Sequence, residues 1–552
     1  MSINNISIIN NAYSALEIAQ AGMTITSQNV SGANVEGFSR RNSNNVIGLM
    51  APSSRDFGHT AFAVEGFTRF VDNLLTKQQL EQRSKTSYSN TLLQAVSGLD
   101  SLMMDPASSI SVAVSKFMNA AGTLANDASS LTNKQTFAGA ATELANRVSS
   151  FNEYLNEIKK STQVNMTAIL NEANTLAPAL QRINQQILAS SSPGYSTPSA
   201  DILDERDRIT MRMQDLLGGS TIINEDGTAT FQIAGISLVD RMNASQFINT
   251  DVGVSDQALF NVFIKNSETG HLIGPLSTYI KPNEGFTATP EQQYLQPKTI
   301  FTSGQAGGAF EILADFLPDL QRSVSALTLG IFRDVNSVKK EDGSTTISSV
   351  FGYRASGGGF NTTIPTELSQ KYQASSTGSL VVVDGKYQKD TGSPAASTSR
   401  VMKIEEIMAA SDPKSSLYLS DIAKVVNDQV PNKSYGTSSF VSMLSYGSEV
   451  ALNFTIDAVA ANRIEQLRGS FSSPLSLITV DVASTISSWK NLDKVNQVIG
   501  KQLEDRRESI SGVNLDEEAA NLVKFQQMYG AASKVMQTAN QMFNMLLNML
   551  SE

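Results

Sequence analysis

The stretch Phe137 to Ile187 reads FAGAATELANRVSSFNEYLNEIKKSTQVNMTAILNEANTLAPALQRINQQI. Phe137, Ala141, Leu144, Val148, Phe151, Leu155, Ile158, Thr162, Asn165, Ile169, Ala173, Leu176, Leu180, Ile183 and Ile187 succeed one another in alternating steps of four and three. That is the spacing of a heptad seam, and its length predicts a rod-like helix in a coiled coil or bundle. Pro178 is expected to bend it near its end. Beyond it, Ser191 to Pro198 reads as a turn. Residues 200–217 return as an amphipathic helix through Ile202, Leu203, Ile209, Met213 and Leu216, completing a helical hairpin. Working backwards, residues 62–190 read as almost wholly helical, with a helix start at Asp105-Pro106.

The character changes at Gly218-Gly219. Residues 220–302 carry short alternating runs such as Thr228 to Ile233, preceded by the turn pair Asp226-Gly227, which is hairpin chemistry. Helix is expected again from about Gly307 to Val338. Residues 340–440 are rich in Gly, Ser and Thr, with strand-like Leu380 to Tyr387 beside turns, and helix resumes near Ser445. The predicted class is therefore mostly α with β insertions: a long helical bundle or coiled-coil rod from both chain ends, with β-rich outer domains inserted in the middle. The division expected is 1–38 with 511–552 as a terminal-helix coiled-coil domain, and 39–217 with 303–340 and 441–510 as a helical rod. Residues 218–302 form a β-rich segment attached to the rod, and 341–440 a β-rich outer domain.

The two ends share a peculiarity. Residues 3–31 place Ile9, Ala12, Leu16, Ala19, Met23, Thr26 and Val30 on a heptad seam, yet up to residue 35 the one charged side chain is Glu17. Gly32, Asn34 and Gly37 then break the helix. At the other end, Ser511-Gly512-Val513-Asn514 interrupts a helix containing Trp489, Leu492, Ile499 and Leu503. Asn514 is placed to cap the next helix, with Glu517 in a capping-box position. Asp516, Glu517 and Glu518 complement its dipole. Its seam runs Leu515, Leu522, Phe525, Tyr529, Ala532, Met536, Ala539, Phe543, Leu546 and Leu550, and after Lys524 only Lys534 and Glu552 are charged. An intramolecular two-helix coiled coil explains the seams. Packing against neighbouring chains also explains the missing charges, because a desolvated charge costs more than a hydrogen-bonded amide. The candidate assembly residues are Leu16, Ala19, Met23, Val30, Asn34, Gly37, Phe38, Leu515, Leu522, Phe525, Tyr529, Met536, Phe543, Leu546 and Leu550.

Composition narrows the alternatives. Of 552 residues 17% are charged, below the ~25% of ordinary soluble domains, and the net charge of −10 speaks against a phosphate-binding basic face. With no cysteine, thiol catalysis and Cys-based zinc sites are excluded. The two histidines, His59 and His271, sit in no HExxH frame, and Gly357-Gly358-Gly359 lacks the Lys and Ser/Thr of a P-loop. Asp201, Asp204, Glu205 and Asp207 alternate with Arg206 and Arg208, which reads as a solvated, ion-paired helix face. No enzymatic activity, cofactor, metal, nucleic-acid binding or membrane insertion is expected. No Lys or Arg precedes Arg40, so a cleaved secretory signal is not expected either.

Particular residues carry a resemblance. Ser14-Ala-Leu-Glu-Ile-Ala-Gln20 and Asn29-Val-Ser-Gly-Ala-Asn-Val-Glu-Gly-Phe38 look like the N-terminal signature of flagellar rod, hook and junction proteins, with Glu36 where those more often have Pro and Phe38 at the usual Tyr position. Ser511-Gly-Val-Asn-Leu-Asp-Glu-Glu518, Tyr529 and Gln537-Thr-Ala-Asn540 are similar to the C-terminal signature. With Asp201 to Asp207 and Thr302 to Gly308, the whole chain resembles the bacterial flagellar hook-associated protein 1 family, the hook–filament junction proteins. The resemblance implies a structural subunit of the bacterial flagellum, extracellular, exported unfolded through the flagellar type III pathway. Its terminal helices would form an inner tube, often disordered in the monomer. Its implied partners are copies of itself in a ring, hook protein, the second hook–filament junction protein, and an export chaperone at the C-terminal region. The competing reading is a cell-surface adhesin with β domains on a helical stalk.

Overall fold

The computed structural model describes residues 2–35, 37–49, 60–105, 109–190, 199–249, 262–265, 272–273, 277–278, 298–336, 338–343, 350–354, 360–361, 380–383, 386–389, 440–442 and 456–550. The chain opens with α1 (Ser2–Gly32), the strands β1 (Arg41–Leu49) and β2 (Thr60–Arg69), and the helices α2 (Asn73–Ala95), α3 (Leu99–Met104), α4 (Ile110–Asn126), α5 (Leu131–Ser190) and α6 (Ala200–Leu217). Short strands follow: β3 (Ser220–Ile223), β4 (Ala229–Ile233), β5 (Ile236–Val239), β6 (Gln246–Asn249), β7 (Val262–Lys265), β8 (Leu272–Ile273), β9 (Ser277–Thr278) and β10 (Lys298–Thr299). Then come α7 (Gly304–Glu311), a π-helical turn Ile312–Phe316 and α8 (Leu317–Asn336). The strands β11 (Phe351–Arg354), β12 (Phe360–Asn361), β13 (Leu380–Val383), β14 (Lys386–Lys389) and β15 (Phe440–Ser442) precede α9 (Ala458–Gln466), α10 (Arg468–Ser511) and α11 (Leu515–Leu550). The fold is mostly α with β insertions.

Helix α5 runs unbroken for 60 residues, through Pro178, and is roughly 90 Å long at the usual helical rise. It spans two cores. Its first half buries Phe137, Leu144, Phe151, Leu155 and Ile158, on the heptad seam, against α4, α8, α9 and the first half of α10. The Phe117 ring lies 5.1 Å from Phe137 and 5.3 Å from Phe351 at the centre of that core. Its second half buries Met166, Leu170, Ala173, Ala177 and Leu180 against α6, α7 and the antiparallel sheets β3–β4–β5 and β6–β7–β8. The heptad frame slips here. Asn165 is exposed, Met166 is buried in its place, and Leu176 and Ile183 are only half-buried. A straight helix drifts about 20° per heptad, and α5 does not supercoil around one partner but exchanges helices for sheets along its length.

Asparagine side chains dock strands onto helices. Asn174 of α5 accepts from Phe247 N–H (2.7 Å) and donates to Phe247 C=O (2.9 Å). Asn184 accepts from Ala229 N–H (2.9 Å) and donates to the carbonyls of Ala229 (2.8 Å) and Asp240 (3.1 Å). Asn336 of α8 does the same to Phe351 of β11 (3.2 and 2.8 Å). A carboxamide offers one donor and one acceptor in the spacing of a peptide group, so it completes an edge that lacks a neighbouring strand. Strands β11 and β15 pair through Phe351 with Ser442 and Tyr353 with Phe440, so the chain leaves and re-enters the helical body at one place.

The motif Thr302 to Gly308 has a packing reason. Gly218 and Gly304 both take positive φ (69° and 70°) and their backbones touch; a Cβ on Gly304 would lie 2.3 Å from the Gly218 nitrogen. A Cβ on Gly308 would lie 2.7 Å from the Tyr88 carbonyl oxygen, so α7 sits directly on α2.

Several expectations are corrected. Residues 62–69 are strand: β2 pairs antiparallel with β1, from Arg41 opposite Arg69 to Leu49 opposite Thr60. Phe62 and Val64 alternate with small or polar neighbours in a period of two, which the helical reading overrode. Helix α4 starts at Ile110, where the Ser109 hydroxyl caps Val112 N–H; Pro106, of the expected start, lies outside the described residues. The last helical region begins at Ala458, capped by Asp457 onto Ala460 N–H; residues 443–455, including Ser445, lie outside the described residues, as do His59, His271, the Ser191–Pro198 turn and Gly357-Gly358-Gly359.

Candidate functional site

Helices α1 and α11 pack as an antiparallel pair: Gly22 meets Phe525, while further along Arg40 meets Ser511 and Glu517. Small residues set the approach. Ala12, Ala19, Ala532 and Ala539 are buried, and a Cβ on Gly22 would come within 2.4 Å of the Phe525 ring. Leu16, Met23, Leu522, Phe525 and Met536 are half-buried along this seam. The seam consumes one face of each helix. Tyr13 (57% exposed) and Val30 (46%) on α1, and Leu515, Val523, Tyr529, Val535, Met542, Phe543 and Met545 on α11, stay exposed. Val30 leaves the seam because, as in α5, the buried row drifts, to Gly22, Ile25 and Asn29. Leu546 and Leu550 belong to α11, but their side chains lie outside the described residues.

The chain after α1 is folded tightly. Phe38 lays its ring on Gly32, where a Cβ would be 2.5 Å away, and the Arg41 guanidinium sits 4.8 Å from the centre of that ring. Gly37 takes φ +84° with the Met211 methyl where its Cβ would point, so both glycines of this break are required. Asn34 is exposed. Asn29, almost fully buried, accepts from Arg41 N–H (2.9 Å) and donates to Arg41 C=O (3.0 Å), the same docking that α5 makes.

At the opposite helix start, Asn514 caps α11 by accepting from Asp516 N–H (3.0 Å). The acidic first turn has a further partner that the sequence reading missed: Arg40 pairs with Glu517 and Glu518, each at 2.9 Å. The acidic run of α6 is ion-paired as expected but only partly solvated, since Asp204 and Asp207 are largely buried. Arg41 reaches Asp201 and Asp204 (2.7 Å each), and Arg69 pairs with Asp204 (3.3 Å) and Asp207. Asp201 and the Glu205–Arg208 pair at 2.5 Å face solvent, and Arg208 holds the Glu205 carboxyl low. Burial acts most strongly on both Arg41 and Asp204. At Asp204 it wins and pushes the carboxyl up against the pull of Arg41 and Arg69; Arg41 stays firmly charged through its bonds to Asp204 and Asp201. The clue in the sequence was that Arg40-Arg41 are the first basic residues of the chain.

Among the described residues no group of three His, Cys, Asp or Glu side chains could hold a metal, and no helix is long and apolar enough to cross a membrane. Beyond the ion pairs at its start, the exposed face of the α1–α11 pair is largely apolar.

Comparison with known proteins points to flagellar proteins. The family model described as flagellar hook-associated protein FlgK helical domain matches residues 96–346, and the one described as flagellar basal body rod FlgEFG protein C-terminal matches residues 507–549. Flagellar hook-associated protein 1 of Escherichia coli (strain K12) is 25% identical over 98% of this chain and 99% of its own length. Over nearly its whole length the chain resembles the flagellar hook-associated protein 1 family. It is a structural component of the flagellum at the hook–filament junction. The family relative from Bacillus subtilis (strain 168) is 21% identical, covering 97% of both chains. A solved structure, the flagellar hook junction protein FlgK from Burkholderia pseudomallei, matches at 20% identity with a TM-score of 0.39, covering 50% of this chain and 47% of its own. The family model for the C-terminal region covers Arg507, the Gly512 break and nearly all of α11.

Proposed function

We propose that this junction protein enters the flagellar axis through the α1–α11 pair, whose outer faces pack against neighbouring subunits in a ring. One observation carries the reading: a charge-poor antiparallel pair that leaves Tyr13, Val30, Tyr529, Val535, Met542 and Phe543 exposed after closing its own seam. Each half-exposed side chain would contribute on the order of 1 kcal/mol when a neighbour covers it. The candidate assembly residues divide accordingly. Ala19, Met23, Leu522, Phe525 and Met536 hold the pair together, and Val30, Leu515, Tyr529 and Phe543 face neighbours.

In this reading residues 1–38 with 511–552 form the inner domain, and 39–217 with 303–340 and 441–510 the rod. Residues 218–302 attach to the rod, and 341–440 form an outer domain. The neighbours are copies of this chain, hook protein below and the second junction protein above. The chain is exported and works outside the cell, and its C-terminal region is held by a chaperone before export. The apolar α11 fits that last role, since a solvated Met-rich face needs cover until it assembles.

Removal of residues 2–32 or 515–552 tests the reading. The expected product is a soluble rod with intact Trp489 emission that no longer joins the hook tip; normal incorporation without either helix would end it.

A further inference from the structure

Segments remote in sequence meet at one ionic node where the terminal pair joins the rod. Arg40 and Arg41 follow α1, Arg69 ends β2, Asp201, Asp204 and Asp207 line α6, and Glu517 and Glu518 open α11. Backbone bonds knit the same place: Arg40 N–H donates to Ser511 C=O and Phe70 N–H to Arg40 C=O, both at 3.0 Å. Arg507 of α10 donates to Phe38 C=O at 2.9 Å. The centre of the node is deep, with Asp201 and Glu517 exposed at its rim. The side chains of Arg41, Arg69 and Glu518 are 4%, 7% and 2% exposed. Arg41 Nε is buried without a hydrogen-bond partner among the described residues, and the equally buried Arg69 Nη1 and Asp204 Oδ1 meet as an ion pair at 3.3 Å.

Charges buried this way gain little net stability, because desolvation offsets attraction, but each fixes the position of the others. The two connections that flank the node, residues 33–40 and 512–514, contain glycine and are short, and by themselves would let the α1–α11 pair pivot on the rod.

We propose that the node is an ionic latch that fixes the orientation of the α1–α11 pair on the rod, so that the pair's apolar face meets a neighbour at one angle. The latch rests on the reading of that pair as the assembly surface.

The chain lacks cysteine, so Lys494→Cys on α10 and Gln526→Cys on α11, both exposed, give a unique spin-label pair across the Gly512 break. The expected distance distribution is narrow in the labelled parent. Asp204→Asn, which removes the carboxylate that Arg41 and Arg69 share, broadens it about twofold as further orientations become populated. Glu205→Gln, one residue on in a solvent-facing pair, leaves it narrow. Emission from Trp489, the single tryptophan, packed 5.0 Å from Phe316, shows that the rod is folded in each variant. Should Asp204→Asn lose that signal, Arg40→Gln, which frees only Glu517 and Glu518, carries the test with the same broadening expected. A parent distribution that is already broad, or a folded variant as narrow as the parent, overturns the latch. Incorporation of the chain lacking residues 2–32 separates the two claims. Normal incorporation beside a broadened Asp204→Asn variant removes the assembly reading and leaves the latch; blocked incorporation beside an unbroadened variant removes the latch alone.

Discussion

Asn184→Ala deletes three hydrogen bonds at once and leaves Ala229 N–H unpaired beside a packed sheet. A loss of about 3 kcal/mol follows, read as a lower urea midpoint. Gly22→Ala sets two effects against each other. Alanine favours the helix by about 1 kcal/mol, but its methyl meets the Phe525 ring, and overpacking costs about 1–3 kcal/mol. The clash wins, so amide exchange in α1 and α11 accelerates, and adding Phe525→Ala reverses part of that change. Asp226 shows how one turn responds to pH. The Thr228 hydroxyl, with the Thr228 N–H and Arg241, holds its carboxyl below the ordinary range. Its contribution is full above the unfolded value of about 3.9 and is lost as pH falls through the folded value. Carbon-detected NMR titration should place Asp226 below a Thr228→Val variant.

At the scale of elements, Leu155 and Asn165 stand on the same heptad row in the sequence, and the structure separates them. Leu155→Ala should cost about 2–5 kcal/mol, whereas Asn165→Ala, on the exposed side, should stay within about 0.5 kcal/mol. Equal losses in thermal or urea unfolding would show that the seam does not slip. The first half of α5 was legible because one kind of partner, other helices, lines it; the second half was not, because its partners become sheets that no periodicity in α5 itself announces. The β1–β2 hairpin was hidden for a related reason. Its strand residues Phe62, Val64 and Phe67 are as apolar as a helix face, and the partner that makes them a strand lies across residues 50–59. Signals that lie within one turn were read directly: the Asp226-Gly227 hairpin, the Gly512 break and the Asn514 cap.

Across the whole molecule, both ends were recognisable as unusual from their missing charges, and the structure brings them together over most of α1. What the sequence could not display was the division of their apolar residues between an inner seam and an outer face, since a heptad pattern does not say how many partners it has. Nor could it pair Arg41 with Asp201 and Asp204, about 160 positions away. The central claim, that the outer face of the pair is the assembly surface, is tested most directly by Tyr529→Asp with Phe543→Asp. Both side chains are over 40% exposed in the subunit, so the pair and the rod should keep their unfolding midpoint. The measurement is incorporation at the hook tip, by electron microscopy of cells whose single copy carries the double variant. The account predicts a folded, exported subunit that fails to join the hook, with filaments absent; junctions that form normally would contradict it.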